Sequence, residues 1–188
     1  MDDSSRLVAY LDGRLVPYSQ AVANMSGGES ESAVGLYDLE RTFGGRMFKL
    51  RQHLQRLYGG LEFAQIDPGI SLDVMEAATL DVLEANRHLL GPGDDYILGQ
   101  VVRAEAKSGS NGQRRVGVVI YCQFIDFASF AHGYVKGVQV VTPATYAIPA
   151  PQPGDGGDGL AQETYSLLTD DRGNITECSH ANFLFVKD

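Results

Sequence analysis

Hydrophobic positions along the chain change period several times, and each change marks an element. Leu7 to Leu11 and Arg14 to Val16 flank Asp12-Gly13, a two-residue hairpin signal whose glycine supplies the positive φ of a type I′ turn, so the first element is a β-hairpin. A polar, glycine-rich loop follows at residues 25–32, where it could serve as a lid. Gly35 to Tyr58 then passes from alternating apolar residues through Gly44-Gly45 into a short strand and a helix. On that helix Leu50, Leu54, Leu57, Tyr58 and Leu61 form one face, while His53 and Arg56 stand three residues apart on one side. Ser71 caps a second helix whose inner side reads Leu72, Met75, Ala78, Thr79, Val82, Leu83, Asn86 and Leu89, with Asp73 in its first turn and Gly91-Pro92 stopping it. Tyr96 to Val102, Val116 to Phe124 and Val135 to Thr142 read as consecutive strands, the first two joined by a turn at residues 108–112. Two further short strands, Tyr165 to Thr169 and Phe183 to Val186, flank a turn at residues 170–174.

The pattern predicts an α+β chain. Residues 1–115 form a small domain of strands packed on two helices, and residues 116–188 supply further strands of a β-rich part. Between the strand groups, residues 143–159 hold Pro149, Pro151, Pro153 and the Gly/Asp run 154–159, which excludes a helix interior and implies a flexible connection.

Composition narrows the function classes. At 188 residues and 44% hydrophobic content the chain can bury a proper core. A formal charge of -9 argues against nucleic-acid or anionic-membrane partners and leaves room for a local basic site that holds a small anion. With no basic start followed by an apolar run, and no apolar window near the roughly 20 residues of a membrane helix, a cytoplasmic protein is expected. Cys122 and Cys178 follow no metal-ligand spacing and read as free thiols; the four histidines are dispersed, so no metal site is expected.

Two residues carry candidate chemistry. Arg56, taken alone, reads as a solvated helix arginine as readily as an anion contact. Glu177 sits among uncharged residues between two predicted strands, where a carboxylate needs a donor, so a structural and a functional role stand open together. The Gly-Gly pairs at residues 27, 44 and 59 match neither a dinucleotide fingerprint nor a P-loop, and no nucleophile elbow is present.

Several ordered motifs give the chain a resemblance to the class IV, fold type IV, pyridoxal-phosphate-dependent aminotransferases, the group that includes branched-chain and D-amino-acid aminotransferases and aminodeoxychorismate lyase. They are Leu11-Asp12-Gly13-Arg14-Leu15-Val16-Pro17, Gly35-Leu36-Tyr37-Asp38, Arg41-Thr42-Phe43-Gly44-Gly45, Phe48-Lys49-Leu50, His53-Leu54-Gln55-Arg56-Leu57, Asp171-Arg172-Gly173-Asn174-Ile175-Thr176-Glu177 and Ala181-Asn182-Phe183-Leu184-Phe185. The resemblance implies that residues 116–188 are the first part of the large cofactor-binding domain. It implies pyridoxal 5′-phosphate as cofactor, Arg56 as ligand of its phosphate and Glu177 as partner of its pyridine nitrogen. It further implies that Tyr37 and Tyr96 line the substrate pocket, that an α-amino acid or small amine and a 2-oxo acid are the substrates, and that the protein is a homodimer. Where the family places its cofactor-binding lysine, residues 148–164 contain none, and Lys49, Lys107, Lys136 and Lys187 all lie elsewhere, so the catalytic residue is not assigned. Accordingly the chain reads as part of a longer aminotransferase. The other readings are an aminodeoxychorismate lyase-like enzyme and a catalytically inactive protein on the same scaffold.

Overall fold

The structure is a computed structural model that describes residues 3–26, 34–104, 116–142, 164–178 and 181–186. The chain divides into two compact units, Met1–Ile125 and Asp126–Asp188. The division falls after Ile125 and not at 115/116, because the strand from Val116 to Phe124 is paired into the sheet of the first unit.

In the first unit β1 (Val8–Leu11) and β2 (Arg14–Pro17) form the expected hairpin, with Asp12 and Gly13 both at positive φ, 46° and 99°. The Asp12 side chain then accepts a 2.7 Å hydrogen bond from the Val118 amide, which ties the turn to β6 (Val116–Phe124). The remaining elements are α1 (Tyr18–Ser26), β3 (Val34–Phe43), β4 (Arg46–Met47), α2 (Leu50–Phe63), α3 (Leu72–Asn86) and β5 (Tyr96–Ala104). Their strands form one sheet in the order β2-β1-β6-β5-β3-β4. Between β3 and β4, Gly44 and Gly45 both take positive φ, 57° and 72°, which explains a Gly-Gly pair at this position.

Helices α2 and α3 cover one face of the sheet. Leu50, Leu54, Leu57 and Leu61 from α2 and Met75, Ala78, Val82 and Leu83 from α3 pack with Tyr96, Leu98, Val102, Val118, Ile120 and Cys122 in the main core. Ser71 caps α3 as the sequence implies, its hydroxyl accepting from the Val74 amide at 3.3 Å. Buried Asn86, the last residue of α3, accepts from the Val8 amide and donates to its carbonyl, both at 2.8 Å, and so clasps the helix to β1. On the opposite face, α1 lays Ala21 and Tyr18 against Ala9, Leu11, Val16 and Val119. That helix was not predicted; it begins directly after Pro17 and runs for only nine residues, too few turns to establish a period. The loop expected at 25–32 gives its first two residues to α1, and residues 27–33 lie outside the described residues, as does the turn at 108–112.

The second unit holds α4 (Phe127–Lys136), β7 (Gln139–Val141), β8 (Thr164–Thr169) and β9 (Ile175–Cys178), with β8 parallel to β7 and antiparallel to β9. Two strand assignments need correction here. Val135 belongs to α4 and not to a strand, because the helix runs on until Gly137, at φ 76°, donates to the Gly133 carbonyl and stops it. Phe183 to Val186 form no strand: only Ala181 makes an isolated bridge, to Cys178, and Leu184, Phe185 and Val186 are exposed. Glu177 therefore lies within β9 and not between two strands. The proline tract at 143–159 lies outside the described residues.

Candidate functional site

Strand β3 is built inside out. Its residues alternate as a strand requires, yet the side facing the helices carries Asp38, Glu40 and Thr42, all buried, while Tyr37, Leu39 and Phe43 on the other side are exposed. Three buried polar groups in succession are tolerable only if each finds a partner, and each finds a different one.

Asp38 is met by α2. Arg56 donates from Nε to Oδ2 at 2.8 Å and from Nη2 to Oδ1 at 2.7 Å, a two-pronged pairing, and His53 Nδ1 lies 2.8 Å from Oδ1. Burial alone would raise the Asp38 carboxyl, but the hydrogen bonds from Arg56 and His53 outweigh it and hold the group below the usual carboxylate range. As acceptor of the His53 bond, the ionised carboxylate fixes the imidazole proton on Nδ1. The Arg56 side chain is 70% exposed, and its two hydrogen bonds to Asp38 engage Nε and Nη2 and not Nη1. Asp38 thus holds one edge of the guanidinium still and leaves the other edge to an external anion, the geometry a phosphate accepts.

Glu40 meets β5 and α3. Gln100 Nε2 donates to Glu40 Oε1 at 2.5 Å and lies 3.3 Å from the Thr79 hydroxyl, which donates to the Met75 carbonyl. Burial pushes the Glu40 carboxyl up to about 8, against the lowering effect of Gln100, and the nearby Asp38 charge adds to the rise. Thr42 closes the row: its hydroxyl donates to Asp95 Oδ1 at 2.7 Å and accepts from the Tyr96 amide at 2.9 Å, while Asp95 also takes the Gly45 amide at 3.0 Å. Asp38, Glu40 and His53 bring ligand-type atoms within 4.8 Å of one another, but Arg56 engages both Asp38 oxygens and puts a positive charge where a cation would have to sit.

The predicted site residues occupy different settings. Arg56 is on α2 with its free edge exposed, and Tyr37 is exposed on the outer side of β3. Tyr96 is completely buried; its hydroxyl donates to the Asn86 carbonyl at 2.8 Å and its ring packs on Phe124, so it is a core residue of the first unit and presents no surface to a ligand there. Glu177 is an exposed residue of β9 in the second unit. Lys49 precedes α2 in a left-handed conformation and Lys136 ends α4; Lys107 and Lys187 lie outside the described residues. Cys122 and Cys178 are free, as expected, and both are buried. Asp38, Glu40 and Gln100 were missed from sequence. The available signal was two acids at alternate positions of a strand, each between apolar residues or beside one, followed by a helix bearing His53 and Arg56.

No protein-family model and no curated protein matches the sequence. Solved structures do match. Over 92% of its length the chain is similar to 63% of the branched-chain aminotransferase of the thermophilic archaeon Thermoproteus uzoniensis solved with norvaline, at 18% identity and a TM-score of 0.62. The same share matches 61% of the branched-chain aminotransferase of Thermobaculum terrenum in its pyridoxal-phosphate form, at 14% identity and 0.65, and 62% of the Escherichia coli enzyme, at 16% and 0.62. The chain spans between 61 and 63% of the length of these neighbours. Among the described residues, no helix is long and apolar enough to cross a membrane. What the likeness establishes is architecture: the chain has the fold type IV aminotransferase fold, over part of the length of those enzymes.

Proposed function

We propose that this chain is the phosphate-gripping part of a pyridoxal-phosphate-dependent aminotransferase that moves an amino group between an α-amino acid or small amine and a 2-oxo acid. The observation that carries the reading is the Arg56 guanidinium, fixed along one edge by Asp38 and open along the other. The solved neighbours named above are branched-chain aminotransferases, which supports the same class. A cytoplasmic homodimer accords with it.

Arg56 carries the donor chemistry that the cofactor's phosphate needs, and Glu177, in the second unit, keeps the role that the resemblance implies. Arg56 would take the phosphate, with Asp38 holding the guanidinium in place and His53 steadying Asp38. Glu177, carried on β9, would keep a proton on the pyridine nitrogen. Tyr37, exposed on the side of β3 away from Asp38, would line a substrate pocket as the resemblance implies. When bound, pyridoxal phosphate supplies an electron sink for charge developed at the substrate's α-carbon. The lysine that would attach the cofactor is not found in the interval 148–164.

Calorimetric titration with pyridoxamine 5′-phosphate, which needs no lysine for binding, tests the reading. Arg56→Gln removes a charge-assisted contact worth ~1.5 to 3 kcal/mol, so affinity is expected to fall roughly 10- to 100-fold. An unchanged affinity in that variant would remove the basis of the proposal.

A further inference from the structure

Glu40 and Gln100 leave a mismatch in the main core. Among the described residues, Glu40 Oε2 and Gln100 Oε1 are both buried and both lack a partner, although the other ends of the same two groups are joined by the 2.5 Å bond from Nε2 to Oε1. Two acceptors without a donor are what one missing proton looks like. A proton on Glu40 Oε2 would turn one of these two acceptors into a donor and let the acid and the amide exchange two hydrogen bonds in place of one.

We propose that Glu40 and Gln100 form a protonated acid–amide pair that positions Asp38, and through it the open edge of Arg56, so that loss of the proton loosens the grip on a phosphate ligand. The link to a ligand rests on the function proposed above; the protonated pair itself does not. Burial that raises the carboxyl to about 8 agrees with a proton held at neutral pH. The groups that face Glu40 are Asp38 on its own strand, Arg56 and His53 on α2, and Gln100 and Thr79 from β5 and α3; Tyr121 of β6 also senses its charge. Once ionised, Glu40 places a second carboxylate beside Asp38 and competes with it for Arg56 and His53. Glu40 is therefore a positioning residue for Arg56.

The test uses the full chain, with Glu40→Gln as the neutral isostere. Urea unfolding measured from about pH 5 to 9 should show the wild type losing stability as pH rises toward 8 and the variant losing markedly less, because a carboxyl raised in the folded state stabilises most while both states are protonated. Equal pH slopes overturn the pair. Should E40Q fail to fold, infrared spectroscopy of the wild type replaces it: a protonated carboxylic-acid band at about pH 7 that disappears above about pH 9 is expected, and its absence at neutral pH overturns the pair. Pyridoxamine 5′-phosphate affinity should then fall roughly 3- to 10-fold between about pH 7 and 9 in the wild type and stay level in E40Q, the ligand phosphate being a dianion throughout that range. A wild-type affinity as level as the variant's overturns the link from Glu40 to Arg56. Unchanged binding in Arg56→Gln instead overturns the aminotransferase reading, and the unfolding slopes still decide the pair.

Discussion

Strands β3 and β6 belong to one sheet and face the same core, yet they are held there by different forces. The inner face of β6 is Val118, Ile120 and Cys122, apolar and buried, stabilised by removal of carbon surface from water at roughly 25 cal/mol per Å². The inner face of β3 is Asp38, Glu40 and Thr42, equally buried, and it stays only because Arg56, Gln100 and Asp95 meet those groups one by one. A strand of the first kind tolerates any apolar shape that fills the space; one of the second kind depends on specific partners and on their protonation. Nor does burial act alike on the two acids. Asp38, with three donors, is held ionised, whereas Glu40, with one, is pushed toward its neutral form.

Substitutions can break this contrast, beginning with the largest effect. Ile120→Ala removes a fully buried side chain from β6 and should cost about 2 to 5 kcal/mol in urea unfolding. Thr42→Val keeps the shape on β3 and adds apolar surface, which an apolar strand would welcome. Here it strips partners from Asp95 and from the Tyr96 amide and should cost about 1 to 3 kcal/mol; a neutral or stabilising result would mean that β3 is held by burial after all. Asp38→Asn sharpens the comparison through pH. The folded Asp38 carboxyl is depressed, so its stabilisation is present above the ordinary carboxylate range and lost as pH falls below it, opposite in sign to Glu40. The variant should therefore show a shallower acid decline than the wild type in thermal melts recorded from about pH 6 to 3. Ser71→Ala, in neither strand, removes the cap of α3 and should cost about 1 kcal/mol, less than either core change on a full unfolding curve.

Elements were easier to read in the sequence than their environments. The opening hairpin, α2 and α3 each carry a local cue: Asp12-Gly13 for the turn, leucines at helical spacing, a serine cap with an acidic first turn. Where the cue was local but two-sided, reading failed. Val135 suits a strand as well as a helix, and only Gly137 decides where α4 stops; Phe183 to Val186 has strand composition but no strand beside it. Alternation in β3 was visible, yet period two does not say which side turns inward, and the apolar side with Tyr37, Leu39 and Phe43 is the exposed one. The pairing of His53 and Arg56 on one helix side was legible from spacing; their common partner Asp38 was not, since it sits on an element joined to α2 only in three dimensions. Tyr96 illustrates the reverse error, a position carried over by resemblance that in this chain is packed into the core.

The clasp between Asp12 and Val118 joins residues 106 apart in sequence, because β1 lies between β2 and β6. During synthesis the opening hairpin therefore emerges long before its neighbour exists, and it must wait with one edge bare while β3, α2, α3 and β5 leave the ribosome. Closing so long a loop is entropically costly and slow, which makes the docking of β6 beside β1 a late event in folding and the unaccompanied hairpin the segment most exposed to wrong partners until then.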